Sequence, residues 1–247
     1  MLQEPTHDKM IKMRMHGLAE AWLGQQEDTS ISELTFDERL GLLIDAEWIH
    51  RENKRVTRNL RAAKLKLSSA CIEDLDYPAK RMLDKKLVRR LATCKWITLH
   101  QNIVITGMTG VGKSYLACAL GQQACRKSYR VLYRRVSRLF DELALAHASG
   151  GYPRLLAKLA KADVLILDDW GLAPFGARER RDLNEIMDDR YGVRSTIITS
   201  QFPTDTWHDH LGDPTTADAI CDRILSNAHR IKLEGPSRRK QESNLND

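Results

Sequence analysis

No run of apolar residues in this chain of 247 approaches the ~18–20 that a membrane-crossing helix needs. The N-terminus, MLQEPTHDKMIKMRMHG, has no continuous apolar stretch ahead of a cleavage-like site, so no secretory signal is read there. Cysteine is sparse: the five (Cys71, Cys94, Cys118, Cys125, Cys221) are odd in number, dispersed, and hold no C-x-x-C pair. That excludes a disulfide frame or a zinc site as the organising feature and points to reduced thiols in a cytoplasm. Cys118 and Cys125 stand seven apart and are expected to pack in a core. A hydrophobic fraction of 42% is enough for such a core, in one large domain or two smaller ones.

What the chain does contain is a strand-to-helix junction of a specific kind. An apolar run (Ile103, Val104, Ile105, Thr106) ends at Gly107-Met108-Thr109-Gly110-Val111-Gly112-Lys113-Ser114, which fits G-x-x-x-x-G-K-[ST] at every position. Leu116, Leu120 and Ala124 then recur at helical spacing, so the loop joins a buried strand to a helix. Gly107, Gly110 and Gly112 let backbone N–H groups turn toward phosphate oxygens, with Thr109, Val111 and Tyr115 completing the cradle. The helix N-terminus adds partial positive charge on the same side. Lys113 would reach the β- and γ-phosphates, and the Ser114 hydroxyl would join Mg²⁺. The pattern predicts binding of a nucleoside triphosphate.

A second apolar run, Val164-Leu165-Ile166-Leu167, delivers Asp168 and Asp169 at its end. A buried strand ending in carboxylates is the companion signature of a phosphate loop. Asp168 is placed to hold Mg²⁺ directly or through water, and Asp169 to orient the attacking water. Further strands are predicted at Arg130-Val131-Leu132-Tyr133-Arg134 and Ser195-Thr196-Ile197-Ile198-Thr199-Ser200, the latter ending in Gln201. Gln201 could sense the γ-phosphate, help place the water, or simply serve as a turn residue before Phe202-Pro203. Helical patterns over 137–147 and 154–161 separate these strands, with a break at Gly150-Gly151-Tyr152-Pro153. Strands alternating with helices imply a parallel sheet covered on both faces, with ligands beyond the strands' carboxyl ends.

Residues 8–67 read as helices: Ile11, Met15, Leu18 and Trp22 in one pattern running to Glu27, then Leu40, Leu43, Ile44 and Trp48 in another. Thr35 and Glu38 form an expected capping box ahead of the second. Breaks at Ser68-Ser69 and Tyr77-Pro78 place a domain boundary there, giving an N-terminal helical domain over 1–67 and a second domain over 68–247. The second domain begins with a connecting helix over 82–92. Between Arg51 and Arg90 thirteen Lys or Arg face five acids, a surplus of eight in a chain whose whole net charge is +6, so the remainder carries −2. Arg126, Lys127, Arg130, Arg134, Arg135 and Arg138 form a second basic group with no acid between. Two such groups beside a triphosphate loop predict a nucleic-acid partner.

The loop GMTGVGKS, the strand VLILDDWG, the strand end IITSQFP and the later ICDRILSNAHRIKLEGPSRR resemble IstB-like ATP-binding proteins through nearly the whole chain. The N-terminal TFDERLGLLIDAEW and RENKRVTRNLRAAKLK resemble that family more than generic DnaC-type helicase loaders. The resemblance implies an α/β fold of the AAA+ P-loop class, with a small all-α domain ahead of it. Because the chain ends soon after Arg239, the helical lid is expected to be reduced or absent. It also implies an ATPase that assists insertion-sequence transposition. Lys113, Ser114 and Asp168 match the family's nucleotide and Mg²⁺ positions. Asp169 stands where many AAA+ proteins carry Glu, which puts brisk hydrolysis in doubt, and Gln201 where an Asn is usual. Arg223 matches the arginine finger that acts on a neighbouring subunit, its alternative being a surface salt bridge. Arg239, or else Arg238, matches the second sensor arginine. The implied partners are duplex DNA bound largely without regard to sequence, a transposase, and further copies of the chain assembled with ATP and DNA. A helicase loader, a small-molecule phosphoryl transferase and a DNA scaffold that never hydrolyses its nucleotide are the alternatives.

Overall fold

The computed structural model describes residues 3–238. By internal contacts the chain forms two compact units, Met1–Arg58 and Asn59–Asp247. That division falls inside a helix, whereas the break in helicity comes only after Ala63.

The first unit consists of α1 (Gln3–Lys12), α2 (His16–Glu27) and most of α3 (Phe36–Ala63). The pattern expected to run unbroken to Glu27 is cut at Arg14, whose φ of +60° ends α1. Met15 N–H then bonds the Met10 carbonyl and Arg14 N–H that of Ile11, both at 2.9 Å, a Schellman-type stop built on an arginine instead of a glycine. α2 lies close against α3 at Gly17, where a Cβ would come within 2.5 Å of His50 Cβ. Leu18 N–H donates to the buried Glu47 carboxylate at 3.1 Å, satisfying one of the orphan donors at the start of α2. The capping box forms, with Thr35 N–H on Glu38 Oε2 at 2.8 Å and Glu38 N–H on Thr35 Oγ1 at 3.4 Å.

The second unit is a five-stranded sheet in the order β2-β3-β4-β1-β5, every neighbouring pair parallel. Its strands are β1 (Asn102–Gly107), β2 (Val131–Arg135), β3 (Val164–Trp170), β4 (Ser195–Ser200) and β5 (Ala228–Leu233). Parallel strands need crossovers, and helices supply them. α4 (Lys85–Ala92), α5 (Lys95–Thr98) and α6 (Lys113–Arg126) cover one face. The opposite face carries α7 (Val136–Ser149), α8 (Tyr152–Lys161), α9 (Ala177–Asp188), α10 (Trp207–Leu211) and α11 (Pro214–Leu225).

Alternation along the strands feeds both cores. Ile103, Ile105 and Ile166 pack under α6, while Val104, Leu165 and Leu167 point to the other layer. Cys118 and Cys125 lie fully buried in the first core, where loss of water pushes their thiols up to about 11 and about 12. The connecting helix starts later than its pattern suggests, at Lys85, because Asp84 caps it by accepting Lys86 N–H at 2.7 Å.

Candidate functional site

β1 runs into its loop at Gly107, φ +146°, where a Cβ would stand 2.2 Å from the Leu233 carbonyl of β5. Only glycine fits there. The loop closes on Gly112 at the start of α6, and Lys113 follows, 7% exposed. Its amine lies across the loop, donating to the Gly107 and Met108 carbonyls at 2.7 and 2.9 Å. Val111 is buried beneath the loop, Thr109 faces outward, and Tyr115 is half-buried against the core.

Ser114 Oγ donates to Asp168 Oδ1 at 2.7 Å, so the loop and the acidic strand meet as expected. Asp168 is wholly buried and also accepts from Tyr133 OH at 2.6 Å and Thr199 Oγ1 at 2.5 Å, with Lys66 Nζ at 3.7 Å. Burial, with the Asp168 carboxylate second, pushes the Tyr133 phenol well above its ordinary range, so it remains a donor. A hydroxyl and a carboxylate at one point beside a phosphate loop fit Mg²⁺, which takes few protein ligands and completes its shell with phosphate and water. No cluster of three or more His, Cys, Asp or Glu able to hold a metal occurs among the described residues.

Asp169 arrives differently. Leu167 pairs with Ile198 but Trp170 with Ser200, so β3 carries one more residue than β4 between those pairs. The extra residue is taken up at Asp169, with φ +64°. Its N–H is held by Thr199 Oγ1 at 3.1 Å, and its carboxylate pairs with Arg135 Nε at 2.8 Å. Beside this pair opens a cavity of about 380 Å³ lined by Lys64, Lys66, Tyr133, Arg134, Arg135, Arg138 and Glu142. Gln201 sits half-buried one residue beyond β4, at this same end of the sheet.

The segment after β5 returns over the loop. Arg238 N–H donates to the Gly110 carbonyl at 3.0 Å, and its guanidinium pairs with Asp76. Burial works against that carboxylate, yet Arg238 and then Arg81 hold it below the usual range. Arg239 lies outside the described residues.

The structure does not bring Arg223 to this site. It stands on α11 at the amino ends of the strands, paired with Asp188 at 2.8 Å and donating to the Ala219 carbonyl. Asn102 at the start of β1 donates to the Arg223 and Ile224 carbonyls at 3.2 and 3.1 Å, fixing the end of α11 to the sheet. Arg223 opens onto a second cavity of about 160 Å³, with Arg190, Arg194 and His100 in its wall.

The loop, the acids and the parallel order decide the comparison. The IstB-like ATP binding protein family model matches residues 8–246. The chain belongs to the IstB-like ATP-binding family. An insertion sequence ATP-binding protein of Sinorhizobium fredii is 49% identical over 98% of both chains. That of insertion sequence IS1162 from Pseudomonas fluorescens is 49% identical over 83% of this chain and 89% of its own. In fold this IstB-like chain is a parallel sheet covered by helices on both faces, with a phosphate-loop motif at the end of β1. It is similar to crystal structures of DnaI (TM-score 0.57, 24% identity, 67% of this chain and 91% of that one) and of the DnaC helicase loader (0.56, 18%, 67% and 97%).

Sequence reasoning missed Tyr133, Thr199, Lys66 and Arg135 around the two acids. For Tyr133, Arg135 and Thr199 strand order supplies the missing signal, because β2 and β4 flank β3 and bring their ends level with Asp168; Lys66, just after α3, carries no such signal. The second basic group is also recast: Arg126 pairs with Glu73, Arg130 with Asp163, Arg134 with Glu142 and Arg135 with Asp169, at 2.8–3.1 Å. Acids absent between these arginines in sequence reach them through the fold.

Proposed function

We propose that this chain is an ATPase of insertion-sequence transposition that assembles with further copies on duplex DNA, bends it, and stimulates a partner transposase. The meeting of Ser114 and Asp168 at 2.7 Å beside Lys113 is the observation that carries the reading. Lys113 and the loop amides hold the polyphosphate, while Ser114 and Asp168 hold Mg²⁺, which when bound neutralises charge on the phosphates. Asp169, once apart from Arg135, orients water and takes its proton, and Gln201 lies at the end of the sheet where that water is placed.

Arg223, remote from its own chain's loop, is supplied to the nucleotide of a neighbouring copy. A site completed in trans favours assembly when nucleotide is bound, by mass action. Exposed bases, Lys54 and Arg58 in the first unit and Arg61 and Lys64 in the second, offer phosphate contacts that ignore base sequence. The wider protein surface that a bent duplex touches would offset the cost of deforming it. The relatives' names, insertion sequence ATP-binding proteins, support the setting, and five free thiols suit a reducing cytoplasm.

Sedimentation of the chain with duplex DNA, with and without ATP, tests this. Wild type should form a fast-sedimenting assembly only with both. Lys113→Ala should lose nucleotide binding and assembly together. Arg223→Ala should keep nucleotide binding by the single chain, lose assembly, and lower ATP turnover by about 10³-fold. Wild-type chains that stay single with ATP and DNA would sink the proposal.

A further inference from the structure

Arg81 is a buried cation whose needs the fold leaves unmet. Only 3% of it is exposed. One nitrogen is accounted for: Nη1 donates to the main-chain carbonyl and to Oδ1 of Asp76, both at 3.0 Å. Nε and Nη2 are buried with no hydrogen-bond partner among the described residues. An unmade bond from a buried charged donor is among the costlier omissions a fold can carry.

Its direction is informative. Nη2 lies 2.7 Å from where a Cβ on Gly112 would stand, so the guanidinium rests against the phosphate loop at the residue that caps α6. The backbone fixes it there. A 3₁₀ turn, Ala79–Arg81, closes with Arg81 N–H on the Pro78 carbonyl at 2.9 Å, and Glu234 N–H beyond β5 donates to the Arg81 carbonyl at 3.2 Å. The surroundings are short of negative charge, since Asp76 is shared with Arg238, and Lys113 and the amino end of α6 are both positive. Burial, and then Arg238, weaken Arg81's hold on its proton accordingly.

We propose that Arg81 is a phosphate-binding residue of the nucleotide site, presenting Nε and Nη2 as a two-pronged donor to the polyphosphate. This rests on the triphosphate reading above and adds to it a residue from the segment ahead of β1, outside the loop motif. A guanidinium suits the task better than an ammonium, because its fixed fork keeps one nitrogen on Asp76 while two others face the ligand. Gly112 is constrained twice over, by its φ of +97° and by the guanidinium against it.

Calorimetric titration of wild type, Arg81→Ala and Arg81→Lys with ATP, inorganic tripolyphosphate and adenosine tests the assignment. Arg81→Ala should weaken ATP and tripolyphosphate at least tenfold and leave adenosine unchanged, with Arg81→Lys recovering part of the loss. In wild type, the Arg81 side-chain Nε–Hε resonance should shift on adding tripolyphosphate. Equal ATP affinity in wild type and Arg81→Ala overturns the assignment and leaves the ATPase reading standing. A loss equally large for adenosine overturns the phosphate contact. Should Arg81→Ala fail to fold, an Nε–Hε resonance unmoved at saturating tripolyphosphate overturns it instead. Wild type that binds no ATP overturns this proposal and the ATPase reading together.

Discussion

Asp169 occupies a left-handed backbone conformation that costs a non-glycine residue roughly 1–2 kcal/mol, and Asp is among the few side chains that adopt it readily. The bulge turns its carboxylate out of the sheet toward Arg135, while Asp168, one residue earlier, stays wholly buried. Two adjacent acids thus acquire different surroundings, one fully hydrogen-bonded and the other held by a single cation. Arg135 restrains Asp169 in this arrangement, so Arg135→Ala should raise basal phosphate release severalfold with ATP affinity unchanged. A fall in release would instead assign Arg135 to the reaction itself. The acids and the loop were legible in the sequence because contiguous spacing encodes them. Tyr133 and Thr199 were not, since each reaches the site through strand order, and no local pattern marks them.

The elements show the same division. Strands rich in Ile, Val and Leu were readable, as were the helices between β2 and β3. β5 was not: as an edge strand it buries only Ile231 and Leu233, and its run AHRIKL carries His229, Arg230 and Lys232, which suit a half-exposed border but do not announce a strand. The break between α1 and α2 was hidden because apolar residues continue through it. Arg190 shows how elements are fastened without acids. Its guanidinium is 2% exposed and donates to the Leu159 and Ala162 carbonyls at the end of α8 and to the Ser195 carbonyl of β4. Burial lowers its proton affinity to about 9, still protonated near neutrality. Arg190→Ala removes a donor group shared by three carbonyls, of which that of Leu159 keeps only the Ala162 N–H at 3.3 Å, and should cost about 3 kcal/mol or more. A urea midpoint lowered without change in slope would report it, and Arg190→Lys should restore little because an ammonium cannot span all three acceptors.

For the whole molecule, net charge misleads until pairing is known. The second basic group is largely compensated by remote acids, and Arg81 is buried. Exposed bases remain toward the end of α3 and just after it, and again at Lys85, Lys86, Arg89 and Arg90 of α4. Changing Arg58, Arg61 and Lys64 to Glu should weaken duplex retention equally across unrelated sequences. It should also make the dependence of log affinity on log salt shallower by about 3, measured by filter binding. Unchanged retention would remove this surface from the contact.

β1 is only six residues long, yet its two ends serve different customers. Gly107 opens the loop for the copy's own nucleotide, and Asn102, about 16 Å away along the strand, grips the last turn of the helix that bears Arg223. In a row of copies, each β1 would act as a strut between one ATP and the next, so a shift at either end would be felt at the other. Such a filament would read its own occupancy in relay, copy by copy, through one inner strand of each sheet.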